Sequence, residues 1–202
     1  MAEVAMQFDT TEQQHDTATR GMWAFLATEV LFFGGMFAVY TVYRLRYPGA
    51  FRAASLHEEL NLGTINTALL LASSFIVAVS TTALAKGKRK LTVACLLAAS
   101  LLGCGFLAIK FTEYAAKVHA GLLPGRSFTG EPPQMELFYS LYFMMTGVHA
   151  LHMAIGIVFL LIMAARAHSS TLRITQLENT ALYWHFVDAI WVILYPLFYL
   201  VR

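Results

Sequence analysis

Charge is what this sequence has least of. Only 13% of its 202 residues are charged, against 58% that are hydrophobic, whereas a soluble domain carries about 25% charged residues. So few charges cannot solvate the surface of a compact globule, and the composition points to a polytopic membrane protein. A formal net charge of +2, with no basic tract beyond Lys86–Lys90, gives no basis for a nucleic-acid partner. Cysteine is scarce too. Cys95 and Cys104 stand nine residues apart in an apolar run; that spacing fits no metal motif and says little about redox compartment. The N-terminal stretch MAEVAMQFDTTEQQHDTATR lacks the basic start and short apolar core of a signal peptide, so the first apolar run is expected to stay in the protein. There is no internal repeat, no low-complexity tract and no polar segment of domain size.

What is present is a series of long apolar runs. A helical span needs about 20 mainly apolar residues. Five stretches qualify, at about 22–43, 62–85, 91–116, 137–165 and 180–201. A barrel would show alternating segments of about ten residues, so the expected fold is all-α, a bundle of five transmembrane helices. Residues 1–21 read as a polar N-terminal arm and 22–202 as one five-helix domain. Residues 44–61 are polar and mixed in charge. Only KGKRK joins the second and third spans, which requires a tight antiparallel hairpin. Residues 117–136 carry Gly and Pro and read as an ordered surface loop. Pro196 lies inside the last span, where neighbouring helices can re-satisfy the carbonyl it frees.

Lys and Arg in short loops set orientation. Arg20, Lys86, Lys88, Arg89, Lys90, Arg166 and Arg173 lie on one side; Arg44, Arg46, Arg52, Lys117, Arg126 and Arg202 lie on the other. The four charges packed into one turn favour a cytoplasmic N-terminus and an outside C-terminus.

Ionisable groups inside membrane helices are costly and normally face protein or water. Glu29 lies roughly 10 Å into the first span at 1.5 Å per residue. It reads either as a functional carboxylate, holding a proton or touching a cation or lipid head group, or as a neutral glutamate bonded to another helix. His149 and His152 are three apart and share a helix face; such a pair is able to bind a metal. Two neutral histidines bonded across helices is the favoured reading, because only His185 offers a further ligand. His185 and Asp188 are again three apart and can meet one neighbour, with the carboxylate orienting the imidazole or as a simple structural pair. At the end of the third span, Lys110 and Glu113 can pair or snorkel to the surface. Trp191 and the other aromatics read as packing or interface belt. If the first and last spans run in the same direction, Glu29 and Asp188 lie at similar depth, and the polar residues are expected to gather in one layer of the bundle.

Four blocks carry a resemblance to a known family: GMWAFLATEVLFFGGMFAVY (21–40), FTEY (111–114), FMMTGVHALHMAIG (143–156) and YWHFVDAIWVILYPLFYL (183–200). In order and spacing they resemble subunit III of the haem–copper oxidases, the cytochrome c and quinol oxidases. The chain is similar to the shorter, five-helix bacterial form, beginning at what resembles the third of seven helices. It departs at Thr28, where serine is frequent. It also resembles an accessory protein of some nitric oxide reductases. The EVLFF and WHFVD blocks look closer to cytochrome c oxidase versions.

The resemblance implies a non-catalytic subunit of a proton-pumping respiratory complex in a bacterial inner membrane. This chain would hold no haem or copper; both would sit in partner subunits. It would pack on subunit I, in a complex that also holds subunit II, sustain proton uptake and protect the catalytic subunit during turnover. Structural phospholipid is implied as well, in a site that the missing first two helices would leave shared with another subunit. By matching motif, the resemblance singles out Glu29, Glu113, His149, His152, His185, Asp188 and Trp191, with Glu178 and Arg166 as further lipid or interface contacts. Two alternatives remain beside it. A free-standing transporter would couple through Glu29 and Asp188 but would usually need more helices or a repeat. A metal enzyme would use His149, His152 and His185.

Overall fold

The computed structural model describes residues 10–126 and 128–201. Residues 1–9 of the polar arm and Arg202 of the charge count lie outside them. Six helices follow in order: α1 (Thr11–Arg46), α2 (Pro48–Leu56), α3 (Leu60–Ala85), α4 (Arg89–His119), α5 (Met135–His168) and α6 (Ile174–Tyr199). All but α2 are long and apolar enough to cross a membrane.

The helix ends follow local chemistry. Thr10 caps α1, its hydroxyl oxygen accepting from the Gln13 N–H at 3.1 Å. The helix therefore starts well inside the arm that reads as polar, because hydropathy marks where a helix enters the bilayer and not where the helix begins. At the other end Pro48 disfavours helical backbone at Tyr47 and supplies the first residue of α2. Residues 44–61, a polar connection by composition, thus hold a short helix. It turns Ala50, Phe51, Ala54 and Ser55 inward and leaves Arg52 exposed.

The turn between α3 and α4 is a Schellman motif. Gly87 at φ 70° donates to the Leu84 carbonyl and Lys88 to the Ala83 carbonyl. The same pair of bonds closes α4, through Gly121 at φ 71° to Val118 and Leu122 to Lys117.

Helices α3 to α6 form the bundle proper: α3 pairs with α4, α4 with α5, and α6 closes against α3 and α5. Among the described residues α1 lies outside this group and packs on α2, α5 and α6. Half of the most apolar window of α6 is buried, against 17% for α1, so α6 is the axis of the fold. Its last carbonyls, which have no partner within the helix, are taken up from outside. Tyr40 of α1 donates to the Leu197 carbonyl and Ser55 of α2 to that of Phe198.

A row of hydroxyls on α3 holds α6 along its length. Thr64 bonds the Tyr195 hydroxyl at 2.7 Å, Thr67 accepts from Trp191 Nε1 at 3.1 Å, Ser73 accepts from Trp184 Nε1 at 3.1 Å, and Ser74 meets His185 Nδ1 at 2.6 Å. In hydrocarbon the alternative to such a bond is an unmet polar group, so each is worth roughly 0.6–2 kcal/mol.

Candidate functional site

The largest polar assembly in the described residues sits where α4 ends, beneath α2. Lys110, Glu113 and Lys117 follow one face of α4 at i, i+3 and i+7. Lys110 Nζ spends all three protons: on Glu113 Oε2 at 3.2 Å, the Tyr142 hydroxyl at 2.7 Å and the Tyr199 hydroxyl at 2.9 Å. Each tyrosine in turn donates to Glu113 Oε1 at 2.6 Å. Lys117 Nζ stands 2.8 Å from Glu58 Oε2 and 3.8 Å from Glu113 Oε1. The four ionisable side chains, two basic and two acidic, are buried. Aromatic faces close the cage: Lys110 Nζ lies 4.7 Å from the Tyr142 ring centroid and 5.2 Å from that of Trp191. Such contacts gain strength where water is excluded.

This network ties α4, α5, α6 and the α2–α3 link together. Lys110 spends its protons on α5, α6 and its own helix, and Glu113 accepts from α5 and α6, so the arrangement clamps helices together. Only its edge opens, into a depression of about 390 Å³ lined by His57, Glu59, Glu113 and Lys117 among others.

Glu58 lies outside the spans. Burial pushes its carboxyl up to about 7 from the ordinary 4.5, against the pull of Lys117; Glu113 adds repulsion and Lys110 attraction. Between those two values the folded protein keeps a proton that the unfolded chain has released. The stability from this group is therefore complete below about pH 4.5 and is lost as pH rises through about 7. Glu58→Gln, which copies the protonated form, should gain on the parent as pH rises from about 5 to 8. Apparent melting temperatures in detergent at both ends measure this; an unchanged difference between the two proteins would show that Glu58 ionises freely.

The second polar centre joins α1 to α5. His152 Nδ1 is 2.9 Å from the Val148 carbonyl, so Nδ1 carries a proton. Its Nε2 lies 3.2 Å from Glu29 Oε2. The two side chains face each other across that distance and join α1 to α5 inside the bundle. The Tyr183 hydroxyl donates to the His152 carbonyl at 3.0 Å, and the Phe33 ring packs on the imidazole edge.

The remaining residues separate. His149 is fully buried between the Phe106 and Trp191 rings, at 5.5 and 5.2 Å, and neither ring nitrogen is hydrogen-bonded. Three positions apart on a helix is a rotation of about 60°, enough to send His149 toward α4 and α6 and His152 toward α1. His185 meets Ser74 of α3. Asp188 is buried beside that same serine, but Ser74 is turned to the imidazole and neither carboxyl oxygen makes a hydrogen bond. Glu29 with His152 and His185 with Ser74 are thus separate pairs, with Asp188 beside the second. Glu178 is exposed and lines, with Thr19, Thr81 and His185, a depression of about 350 Å³ between α1, α3 and α6. Arg166 is half-buried in the last turn of α5. Among the described residues no group of three or more His, Cys, Asp or Glu side chains is placed to hold a metal ion.

Sequence reading singled out Lys110, Glu113 and Trp191 but missed Glu58, Lys117, Tyr142 and Tyr199. For Lys117 a signal was present, since it stands four residues after Glu113 on the same face. For Glu58 and the tyrosines there was none, because their partners are distant in the chain.

Fold and site together define an all-α membrane protein with buried polar clamps and no assembled metal centre in its described residues. The model of the cytochrome c oxidase subunit III family matches residues 1–201, and the chain belongs to that family. A quinol oxidase subunit 3 of Bacillus spizizenii is 31% identical over 183 residues, covering 89% of this chain and 85% of its own length. A cytochrome c oxidase subunit 3 of Thermostichus vulcanus is 31% identical over 207 residues, covering 97% and 93%. A haem–copper oxidase subunit I+III of Aeropyrum pernix matches 92% of this chain with 23% of its own length, at 26% identity. Quinol and cytochrome c oxidase relatives match at equal identity, so the chain carries what both classes share.

Proposed function

We propose that this chain is the non-catalytic third subunit of a respiratory haem–copper terminal oxidase. It packs on subunit I, in a complex that includes subunit II, and leaves haem, copper and oxygen chemistry to those partners. The observation that carries this reading is the relative in which subunits I and III are one polypeptide, because fusion keeps the two parts together in one molecule. The peripheral position of α1 supports it. Trp23, Leu31, Phe32 and Val42 are exposed on that helix, and an apolar face of this length suits lipid or another membrane subunit.

In this reading the clamp of Lys110, Glu113, Lys117 and Glu58 keeps the bundle rigid against subunit I. The Glu29–His152 pair lies on the α1 side and supports proton uptake and the endurance of the catalytic subunit. Phospholipid occupies the depression beside Glu178 and His185. The membrane is a bacterial inner membrane, with the N-terminus cytoplasmic and the C-terminus outside; the four basic residues at the α3–α4 turn support that orientation. A nitric oxide reductase accessory role and a free-standing transporter are not favoured, since the relatives described above are named as oxidase subunits.

Affinity capture of this chain from its own membranes tests the proposal. The expected product contains a haem- and copper-bearing subunit in one-to-one ratio. Stripping this chain from that product should leave its haem content unchanged and shorten the time for which it sustains turnover. A haem or copper ion bound stoichiometrically to the isolated chain, or capture of a nitric oxide reductase instead, would overturn it.

A further inference from the structure

The turn between α3 and α4 carries Lys86, Lys88, Arg89 and Lys90, all exposed. No Asp or Glu occurs between Glu59 and Glu113. Among the described residues none of the four cations forms an ion pair. Four like charges in five positions repel one another and call for an anion from outside the chain.

Directly beneath them the surface is concave. A groove of about 370 Å³ runs between the two helices, with Lys86 and Lys88 at its mouth and Phe75, Ala78, Val79 and Leu91 along its wall. Phe75 lies eleven residues before Lys86, roughly 16 Å along the helix at 1.5 Å per residue. That is about half of a 30 Å hydrocarbon core. The groove therefore starts at the membrane surface and descends through one leaflet. The turn is also rigid, since its Schellman bonds fix the backbone at Gly87 and Lys88.

From this juxtaposition we infer that the α3–α4 hairpin is a binding site for an anionic phospholipid. The phosphodiester sits between Lys86 and Lys88 and one acyl chain lies in the groove against Phe75 and Val79. Both parts of the site are needed for this assignment. A free phosphate would have no use for an apolar groove as deep as a leaflet, and a neutral lipid none for the unpaired lysines. The site stands at the opposite end of α4 from the Lys110–Glu113 clamp and does not depend on the oxidase reading, only on the chain crossing a membrane.

Delipidated complex, incubated with phosphatidylglycerol or phosphatidylcholine and read by native mass spectrometry, tests the assignment. Phosphatidylglycerol is expected to bind preferentially. A basic residue near an anionic membrane surface is worth roughly a fivefold gain, so Lys86→Gln with Lys88→Gln should weaken phosphatidylglycerol about 30-fold and leave phosphatidylcholine unchanged. Ala78→Phe, which fills the exposed groove and keeps every charge, should weaken it too. Lys86→Arg with Lys88→Arg should preserve binding, and Arg44→Gln with Arg46→Gln, at the other membrane face, should not alter it. Equal retention of both lipids by the parent overturns the proposal. So does a groove-filling variant that binds like the parent, which would mean diffuse surface charge alone, and so does full competition by soluble glycerol phosphate.

Discussion

Glu113→Ala is expected to destabilise the folded chain by about 3–5 kcal/mol, the usual cost of removing one partner from a buried ion pair. The reason is geometric. Among the described residues Glu113 is the single carboxylate that accepts from Lys110 Nζ, and it also accepts from two tyrosine hydroxyls. Without it a buried ammonium keeps only two neutral oxygens around it, and Lys117 must be balanced by Glu58 alone. Glu113→Gln should fall between, since the amide oxygen still accepts but the charge is gone. The informative variant is the double one. Lys110→Met with Glu113→Leu removes both charges and fills similar volume, so it should recover most of the loss. Apparent melting of helical ellipticity in detergent distinguishes these cases. A double variant as unstable as Glu113→Ala would mean that the tyrosine contacts, not charge balance, carry the effect.

Trp184→Ala should be comparably damaging, at about 3–5 kcal/mol for a fully buried indole. The ring is a wedge between α4 and α5. A Cβ at Gly156 would come within 2.9 Å of it, and one at Gly103 likewise within 2.9 Å. Those glycines exist to admit the indole. Ser73 keeps its own bond to the Leu70 carbonyl when the tryptophan goes, so the loss is mostly packing. The reverse error, Gly156→Ala, overfills the same space and should cost about 1–3 kcal/mol. Combining Gly156→Ala with Trp184→Phe moves volume from the ring to the glycine and should be less damaging than Trp184→Ala. Melting of Trp184→Ala, Gly156→Ala, Trp184→Phe and the double variant measures this; a double-variant loss equal to the sum of the Gly156→Ala and Trp184→Phe losses would show that the two positions do not share one space.

These two sites also mark where sequence reading stops. The Lys110–Glu113 pair was legible because helical periodicity alone places i and i+3 together. Its burial was not, since that depends on Tyr142 and Tyr199 arriving from two other helices. A glycine in a span allows close helix approach whichever way it faces. That Gly156 faces Trp184 depends on the rotation of α6 against α5. The histidines show the same limit in reverse: spacing allowed His149 and His152 a common ligand, and the bundle sent them to different neighbours.

By itself, the sequence determined that this is a membrane bundle with five spanning helices, a tight hairpin between the second and third, and a family membership legible in four ordered blocks. These follow from quantities local to the chain: the length of an apolar run, the size of a turn, the residues of a motif. Only the tertiary structure decided that Glu29 meets His152, that Glu58 reaches Lys117 across more than fifty positions, that α2 docks on the end of α6, and that α1 stands outside the bundle. Each of these depends on which helix faces which and at what rotation. In a bilayer, hydropathy is nearly blind to that choice, because lipid and protein neighbours are equally apolar.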